Sequence, residues 1–271
     1  MLTAIRLKEP PVSERDAFPF SIPALKGLRE LALPGPVTFL AGENGSGKST
    51  LLEALAIATS LPTVGGTDAA SDDSLASQRQ LARRMAAVWS KRTHRGFFMR
   101  AEDFFGFVRR LGTLRAQMEV RLEEVDREYR GRSELARRLA RGPAAGSLAA
   151  MQSRYGEDLD ANSHGESFLR LFQSRFVPDG LYLLDEPEAA LSPQSQLGFV
   201  AMMSDMVGQG AQFVIATHSP VLMAVPGATI YSFDGSPLRK VPYGALDGVN
   251  LFKDFMAAPE RYMRRLWSAP R

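Results

Sequence analysis

One eight-residue run constrains this 271-residue chain more than any other feature. Gly42-Glu43-Asn44-Gly45-Ser46-Gly47-Lys48-Ser49 fits G-x-x-x-x-G-K-[ST] in full. It sits between an apolar run, Val37–Ala41, that reads as a buried strand, and Ser49–Ser60, which reads as a largely buried helix. Glycines in such a loop let main-chain N–H groups turn inward around phosphate oxygens, and the helix N-terminus adds partial positive charge. Lys48 supplies a point charge to the same oxygens, and the Ser49 hydroxyl supplies a ligand for Mg²⁺.

A second apolar run, Leu181–Leu184, ends in Asp185-Glu186-Pro187. A buried strand delivers the residues at its C-terminal end to the crevice where phosphates bind in open α/β sheets. Asp185 is then placed to hold Mg²⁺ through its water shell, and Glu186 to orient and deprotonate an attacking water. The plain alternative is that both carboxylates cap the following helix, near Glu188 and Ala189.

Composition narrows the chemistry. The chain has no cysteine, which excludes disulfides, thiolate nucleophiles and Cys-ligated zinc. Its three histidines, His94, His164 and His218, are far apart in sequence, an unlikely pattern for a metal site. No apolar run approaches the roughly 20 residues that span a bilayer. The first residues carry Arg6, Lys8 and Glu9 within their apolar stretch, unlike a signal peptide. These features predict a soluble cytoplasmic protein without membrane insertion. Charge is uneven: Arg79–Arg141 holds 17 Lys or Arg against 8 Asp or Glu, net +9, and the remainder is net −6. A basic segment of this kind is a candidate nucleic-acid contact. The alternatives are a solvated helix whose Glu119, Glu123, Glu124 and Glu128 pair with nearby arginines, and a docking face for an acidic protein.

Along the chain, strands are expected at Leu2–Leu7, Val37–Ala41, Gly96–Arg100, Leu181–Leu184, Phe213–Ala216 and Ile230–Phe233. Helices are expected at Ser49–Ser60, Leu81–Trp89, Ser167–Phe176 and Gln194–Val207. An amphipathic helix with apolar residues three and four apart is expected over Leu111–Ala140, broken near Gly131. Its Leu111–Arg130 part amounts to ~30 Å of helix. Pro62–Ser77 reads as a loop and Gly142–Gly146 as a breaker. Strands alternating with helices argue a largely parallel α/β sheet.

Four motifs in order resemble those of ABC-class ATPases, in particular the stand-alone RecF-like and OLD-like AAA ATPases. They are the phosphate loop Gly42–Ser49, the acidic strand end Asp185–Pro187, and two more. Asn162-Ser163-His164-Gly165-Glu166 resembles the Leu-Ser-Gly-Gly-Gln/Glu signature, with Ser163 standing 22 positions before Asp185. Val214–Ser219 resembles the switch-histidine strand, with His218 standing 33 positions after Asp185. Ala189–Ser192 occupies the D-loop position, with Ser192 where the family has Asp. The match covers about residues 2–61 and 163–233.

The resemblance implies an α/β P-loop NTPase fold, ABC-ATPase-like, with a mixed, mainly parallel sheet. It implies one domain over residues 1–271, with a helical subdomain of about 78–165 inserted between the halves. It implies ATP and Mg²⁺ as ligands and ATP hydrolysis as the activity, with nucleotide contacts from Gly42, Glu43, Asn44, Gly45, Ser46, Gly47, Lys48, Ser49 and Thr50. Lys48, Glu186 and His218 take the catalytic roles, and Ser49, Asp185 and Glu102 the metal. Glu102, after the Gly96–Arg100 strand, is preferred as the Q-loop counterpart over Gln78 and Gln80, which lie in or beside a helix in a bland surface setting. A head-to-tail dimer is implied, in which Ser163, His164, Gly165 and Glu166 reach the partner's nucleotide. Ser163 and Glu166 also have the spacing of a capping box, and both roles are compatible. Phe18 and Phe20 are candidates for stacking on adenine, with core packing the alternative. A partner protein, a nuclease or another effector, would receive the conformational change. Competing expectations are the nucleotide-binding subunit of a membrane transporter and a nucleotide switch.

Overall fold

The computed structural model describes residues 1–65, 75–155 and 164–267. Nine strands form two sheets among them. β1 (Leu2–Leu7), β2 (Glu30–Ala32) and β4 (Met85–Trp89) form a three-stranded antiparallel sheet in the order β2-β1-β4. The larger sheet has the order β5-β6-β7-β3-β8-β9, where β3 is Val37–Ala41, β5 Gly96–Arg100, β6 Leu181–Asp185, β7 Gln212–Ala216, β8 Thr229–Ser232 and β9 Arg239–Lys240. All its pairings are parallel except β8 with β9. The mixed, mainly parallel sheet expected from the alternation of strands and helices is present.

The helices are α1 (Lys48–Thr59), α2 (Ala76–Ala82), α3 (Ala101–Glu128), α4 (Glu134–Tyr155), α5 (His164–Arg175), α6 (Pro193–Gly208), the single turn α7 (Pro220–Met223), α8 (Asp247–Ala257) and α9 (Pro259–Leu266). α1 lies between the two sheets. Its Leu51, Leu52 and Leu55 share one core with Leu2, Ile5 and Leu31 of the small sheet and Leu181, Leu183 and Val214 of the large one. That is why the helix after the phosphate loop is apolar on nearly every face. The opposite face of the large sheet packs Phe39, Tyr182, Leu184, Phe213 and Ile215 against Phe104, Phe168, Phe172 and Phe199 of the outer helices. Alternate residues of β6 and β7 thus serve two cores, as strands buried on both faces must. The two sheets are tied by buried Gln212. Its amide accepts from the Leu2 N–H and donates to the Leu2 carbonyl, both at 2.8 Å, standing in for a missing strand.

Several expectations fail locally. Met85–Trp89 is a strand, not the end of a helix, and only Leu81 and Ala82 of the expected Leu81–Trp89 helix are helical. Met-Ala-Ala favours helix locally, but pairing with β1 at Arg6↔Ala86 and Ile5↔Ala87 overrides that preference. The expected break at Gly142–Gly146 is absent, for α4 continues through Pro143. Interior proline costs about 3 kcal/mol; here the helix is held by α3 and α5 on either side, with Ala144 buried. α3 begins at Ala101, ten residues before the expected start, because Phe104 and Val108 dock into the core. α3 and α4 therefore form an antiparallel arm of 28 and 22 residues, ~42 Å and ~33 Å of helix. Leu135 and Leu139, which lie within the expected amphipathic stretch Leu111–Ala140, are exposed. Between the two motif-bearing halves, α2 packs on α1 and the long helices run over Ala101–Tyr155, while Met85–Trp89 and Gly96–Arg100 belong to the sheets. Part of the expected 62–77 loop, residues 66–74, lies outside the described residues. The terminal pair α8 and α9 leaves Leu251, Phe252, Met256, Met263, Leu266 and Trp267 exposed. Among the described residues, no helix is long and apolar enough to cross a membrane.

Candidate functional site

The phosphate loop follows β3 and opens α1, as the motif requires. Gly47 has φ 101° and lies over Ile22, where a Cβ would stand 2.6 Å from the Ile22 Cγ2. Gly42 (φ 150°) is equally tight: a Cβ would come within 2.8 Å of the Phe233 Cβ and 3.0 Å of the Asp234 Oδ1. Glycine is required at both positions by backbone conformation and by space. Lys48 is buried, and its ammonium donates to the carbonyls of Gly42 (2.6 Å) and Glu43 (2.8 Å) across the mouth of the loop. Glu43 N–H donates to Asp234 Oδ1 at 2.8 Å, which pins the loop to the end of β8. Thr50 is buried in the first turn of α1, whereas Asn44 and Gly45 are exposed at the loop tip.

β6 and β7 deliver the acidic residues and the histidine to the same edge. The Ser49 hydroxyl donates to Asp185 Oδ1 at 3.1 Å. Asp185 is buried, and burial pushes its carboxyl up to about 7; Glu186 and Glu53 push the same way, against the Ser49 hydrogen bond and Lys48. Burial also lowers the Lys48 pKa, opposed by Glu186, Asp185, Asp234 and Glu188. Glu186 has φ 50° and ψ 47°, a left-handed conformation costing about 1–3 kcal/mol for a side chain of this kind. Its N–H bond to the Ala216 carbonyl (2.9 Å) holds it there. That turn brings Glu186 Oε1 to 3.1 Å from His218 Nε2, 32 residues further on.

Asp185 yields a pH prediction. Its carboxyl titrates higher in the folded chain than in the unfolded one, so the fold binds the extra proton between about pH 4 and 7. Stability of the metal-free protein therefore falls as pH rises through that window. Asp185→Asn is expected to stabilise the chelated protein at pH 8, on the order of 3 kcal/mol, and far less at pH 4. Thermal unfolding at both pH values checks this; an equal effect at the two would contradict it.

Other expected residues stand apart from this group. The Glu102 side chain is 78% exposed and faces Arg100 at 3.7 Å. Gln78 lies in α2 as expected, but its setting is not bland. It donates to Glu53 Oε2 at 2.9 Å, and Glu53 is buried one turn after Ser49 and ion-paired to Arg100 at 3.0 Å. Ser163 lies outside the described residues. His164, Gly165 and Glu166 form the first turn of α5, and Gly165 packs so closely that a Cβ would meet the Ser195 Oγ at 2.8 Å. Phe20 is core, under the Arg84 guanidinium, whereas Phe18 is 52% exposed and does not pack inside. Two residues to which the sequence assigns no site role take part: Asp234, and Glu188, whose Oε1 accepts from the Thr217 hydroxyl and from the His218 and Ser219 N–H groups. Asp234 follows an apolar strand just as Asp185 does, and that was the available signal.

Residues 21–168, more than half of the chain, match a family model described as an AAA domain. The chain belongs to this AAA-domain family. Residues 167–224 of the AAA chain match a second model, "AAA domain, putative AbiEii toxin, Type IV TA system". The cobalt import ATP-binding protein CbiO of Salmonella typhimurium is 27% identical over 200 residues, 72% of this chain and 66% of CbiO. The macrolide export ATP-binding/permease protein MacB of Escherichia coli K12 is 28% identical over 236 residues, 85% of this chain and 33% of MacB. The AAA chain thus spans just under two thirds of one relative and a third of the other. The Smc head domain of Pyrococcus furiosus, solved with an extended coiled coil and bound to the C-terminal domain of ScpA, superposes with TM-score 0.42 and 12% identity over 84% of this chain and 95% of that one. The AAA chain has a P-loop NTPase fold, its phosphate loop joining β3 to α1 of a mainly parallel sheet.

Proposed function

We propose that this chain hydrolyses ATP with Mg²⁺ at sites shared between two copies, and that the resulting opening and closing drives a partner. The observation that carries the reading is the convergence of Lys48, Ser49, Asp185, Glu186 and His218 at the C-terminal ends of β3, β6 and β7. Three features support an ATP and Mg²⁺ fit. Lys48 is a buried cation that, among the described residues, hydrogen-bonds only to carbonyls of its own loop. The Ser46 Oγ is buried without a hydrogen-bond partner among the described residues. Asp185 is a buried carboxyl crowded by other acids.

In this reading Lys48 and the loop N–H groups hold the β- and γ-phosphates, and Ser49 and Asp185 hold the metal. Mg²⁺, when bound, neutralises developing charge on the phosphate oxygens. Glu102 is too open in this conformation to join them. Glu186 accepts the proton of the attacking water, and His218 exchanges its bond to Glu186 for one to the γ-phosphate. His164, Gly165 and Glu166 of one copy, at the N-terminus of α5, which suits anions, complete the other's site together with Ser163. Release of phosphate from ATP by the purified chain, with Mg²⁺ and with a chelator, tests the activity. Equal release in both would sink it.

We place the chain among the stand-alone RecF-like and OLD-like ATPases, acting in the cytoplasm in DNA metabolism or defence. The toxin–antitoxin description of the second family model supports defence. The arm supports a polyanion partner. On α3, Arg115 pairs with Glu119, Arg121 with Glu124 and Glu128, and Arg127 with Glu123. Arg130, Arg132 and Arg138, around the arm's turn, have no acidic partner among the described residues. Duplex DNA is expected to bind with ATP present and to weaken at least tenfold from 50 to 200 mM salt. Reversing Arg132, Arg137 and Arg138 should remove that binding. Salt-insensitive binding, or binding that survives the reversal, would favour a protein partner such as a nuclease. The names of CbiO and MacB support a second reading, a transporter ATP-binding subunit; a permease gene beside this one would favour it.

A further inference from the structure

Glu188 does work that neither the phosphate loop nor the metal pair accounts for. It lies in the 3-10 turn Pro187–Ala190, two residues after Glu186, and reaches across to the loop that follows β7. Three donors of that loop converge on its Oε1: the Thr217 hydroxyl at 2.6 Å, the His218 N–H at 2.6 Å and the Ser219 N–H at 3.1 Å. Thr217 and Ser219 are buried on either side of His218. Ser219 is held again by Gln196, whose Oε1 accepts from its hydroxyl at 2.6 Å and whose Nε2 donates to the Leu191 carbonyl at 3.3 Å. His218 is thus fixed at its main chain by Glu188, while its ring meets Glu186.

We infer that Glu188 is the positioning residue of the γ-phosphate side of the site, clamping Thr217–Ser219 so that the His218 ring is presented to Glu186 and to the nucleotide. The inference rests on the ATPase reading above. A carboxylate suits the role because hydrogen bonds to an ionised acceptor are shorter and about twice as strong as neutral ones. Its other oxygen, Oε2, is buried with no hydrogen-bond partner among the described residues. A buried charged oxygen left so costs stability, a cost the chain bears while Oε1 gathers the three donors. Its charge also opposes, less than Glu186, Asp185 and Asp234 do, the lowering of the Lys48 pKa that burial causes.

His94, His164 and His218 are the only histidines, so the His218 ring can be followed by NMR, its resonance assigned by its loss in His218→Gln. In Glu188→Gln the His218 resonance should move while that of His94 stays. Turnover should fall about tenfold to a hundredfold, as expected for a misplaced group, with the KM for ATP changed less than about threefold. An unmoved His218 resonance overturns the clamp, and so does turnover within about twofold of wild type. Should Glu188→Gln fail to fold, Glu188→Asp is read the same way, because the shorter side chain keeps the charge but cannot span to the loop. Should the wild-type chain release no phosphate from ATP, the ATPase reading fails alone, and the histidine resonance still decides whether Glu188 positions His218.

Discussion

Glu186→Gln is expected to bind ATP and Mg²⁺ with nearly unchanged affinity while turning over about a hundredfold to ten-thousandfold more slowly, the usual contribution of a positioned general base. The amide keeps the size and the left-handed backbone of Glu186 but cannot accept the proton of water. The side chain is only half-buried, so the exchange leaves the fold intact. ATP that binds without being hydrolysed should hold the closed state, and light scattering should find dimers accumulating with ATP. A variant that stays monomeric with ATP and hydrolyses at the wild-type rate would remove both the catalytic role and the dimer.

Lys48→Ala should have a comparably large effect on binding. It removes the cation fixed inside the phosphate loop and frees the Gly42 and Glu43 carbonyls that the ammonium holds. Loss of a charge-assisted contact to two phosphates should weaken ATP about a hundredfold or more, ~3 kcal/mol. Calorimetry with Mg²⁺ present reads this directly. Unchanged affinity would mean that the loop is a glycine-rich turn with no phosphate to hold.

The parts of this site that were legible in the sequence are those built from contiguous residues. The phosphate loop joins a strand to a helix within about twenty positions, and the acidic pair ends a run of apolar residues. Local pattern determines both. Glu188 and Asp234 act across 29–31 and 191 residues respectively, and nothing adjacent to them in sequence announces the partner. Gln78 has the same character: its surroundings look like surface until α1 presents Glu53 to it. The misread segments fail for a related reason. Met85–Trp89 has helical residues but lies beside β1, and pairing with a strand some eighty positions earlier decides its conformation. Gly142–Gly146 carries breaker residues, yet α4 is laid along α3 and α5, and that packing outweighs one missing hydrogen bond at Pro143. Charge was legible in amount but not in arrangement. Glu119, Glu123, Glu124 and Glu128 of α3 are taken up by arginines of the same helix, which leaves the arm's turn as the basic end.

The claim that each site is built from two copies can be tested most directly by mixing two inactive variants. Lys48→Ala has a defective phosphate loop and an intact signature; Ser163→Arg has the reverse. In a mixed dimer one site pairs the intact loop of one copy with the intact signature of the other. Hydrolysis in an equal mixture should then recover to roughly a quarter of the wild-type rate, since half of the head-to-tail dimers are mixed and each has one complete site. With both variants folded and dimeric, no recovery above the separate proteins would contradict the shared site.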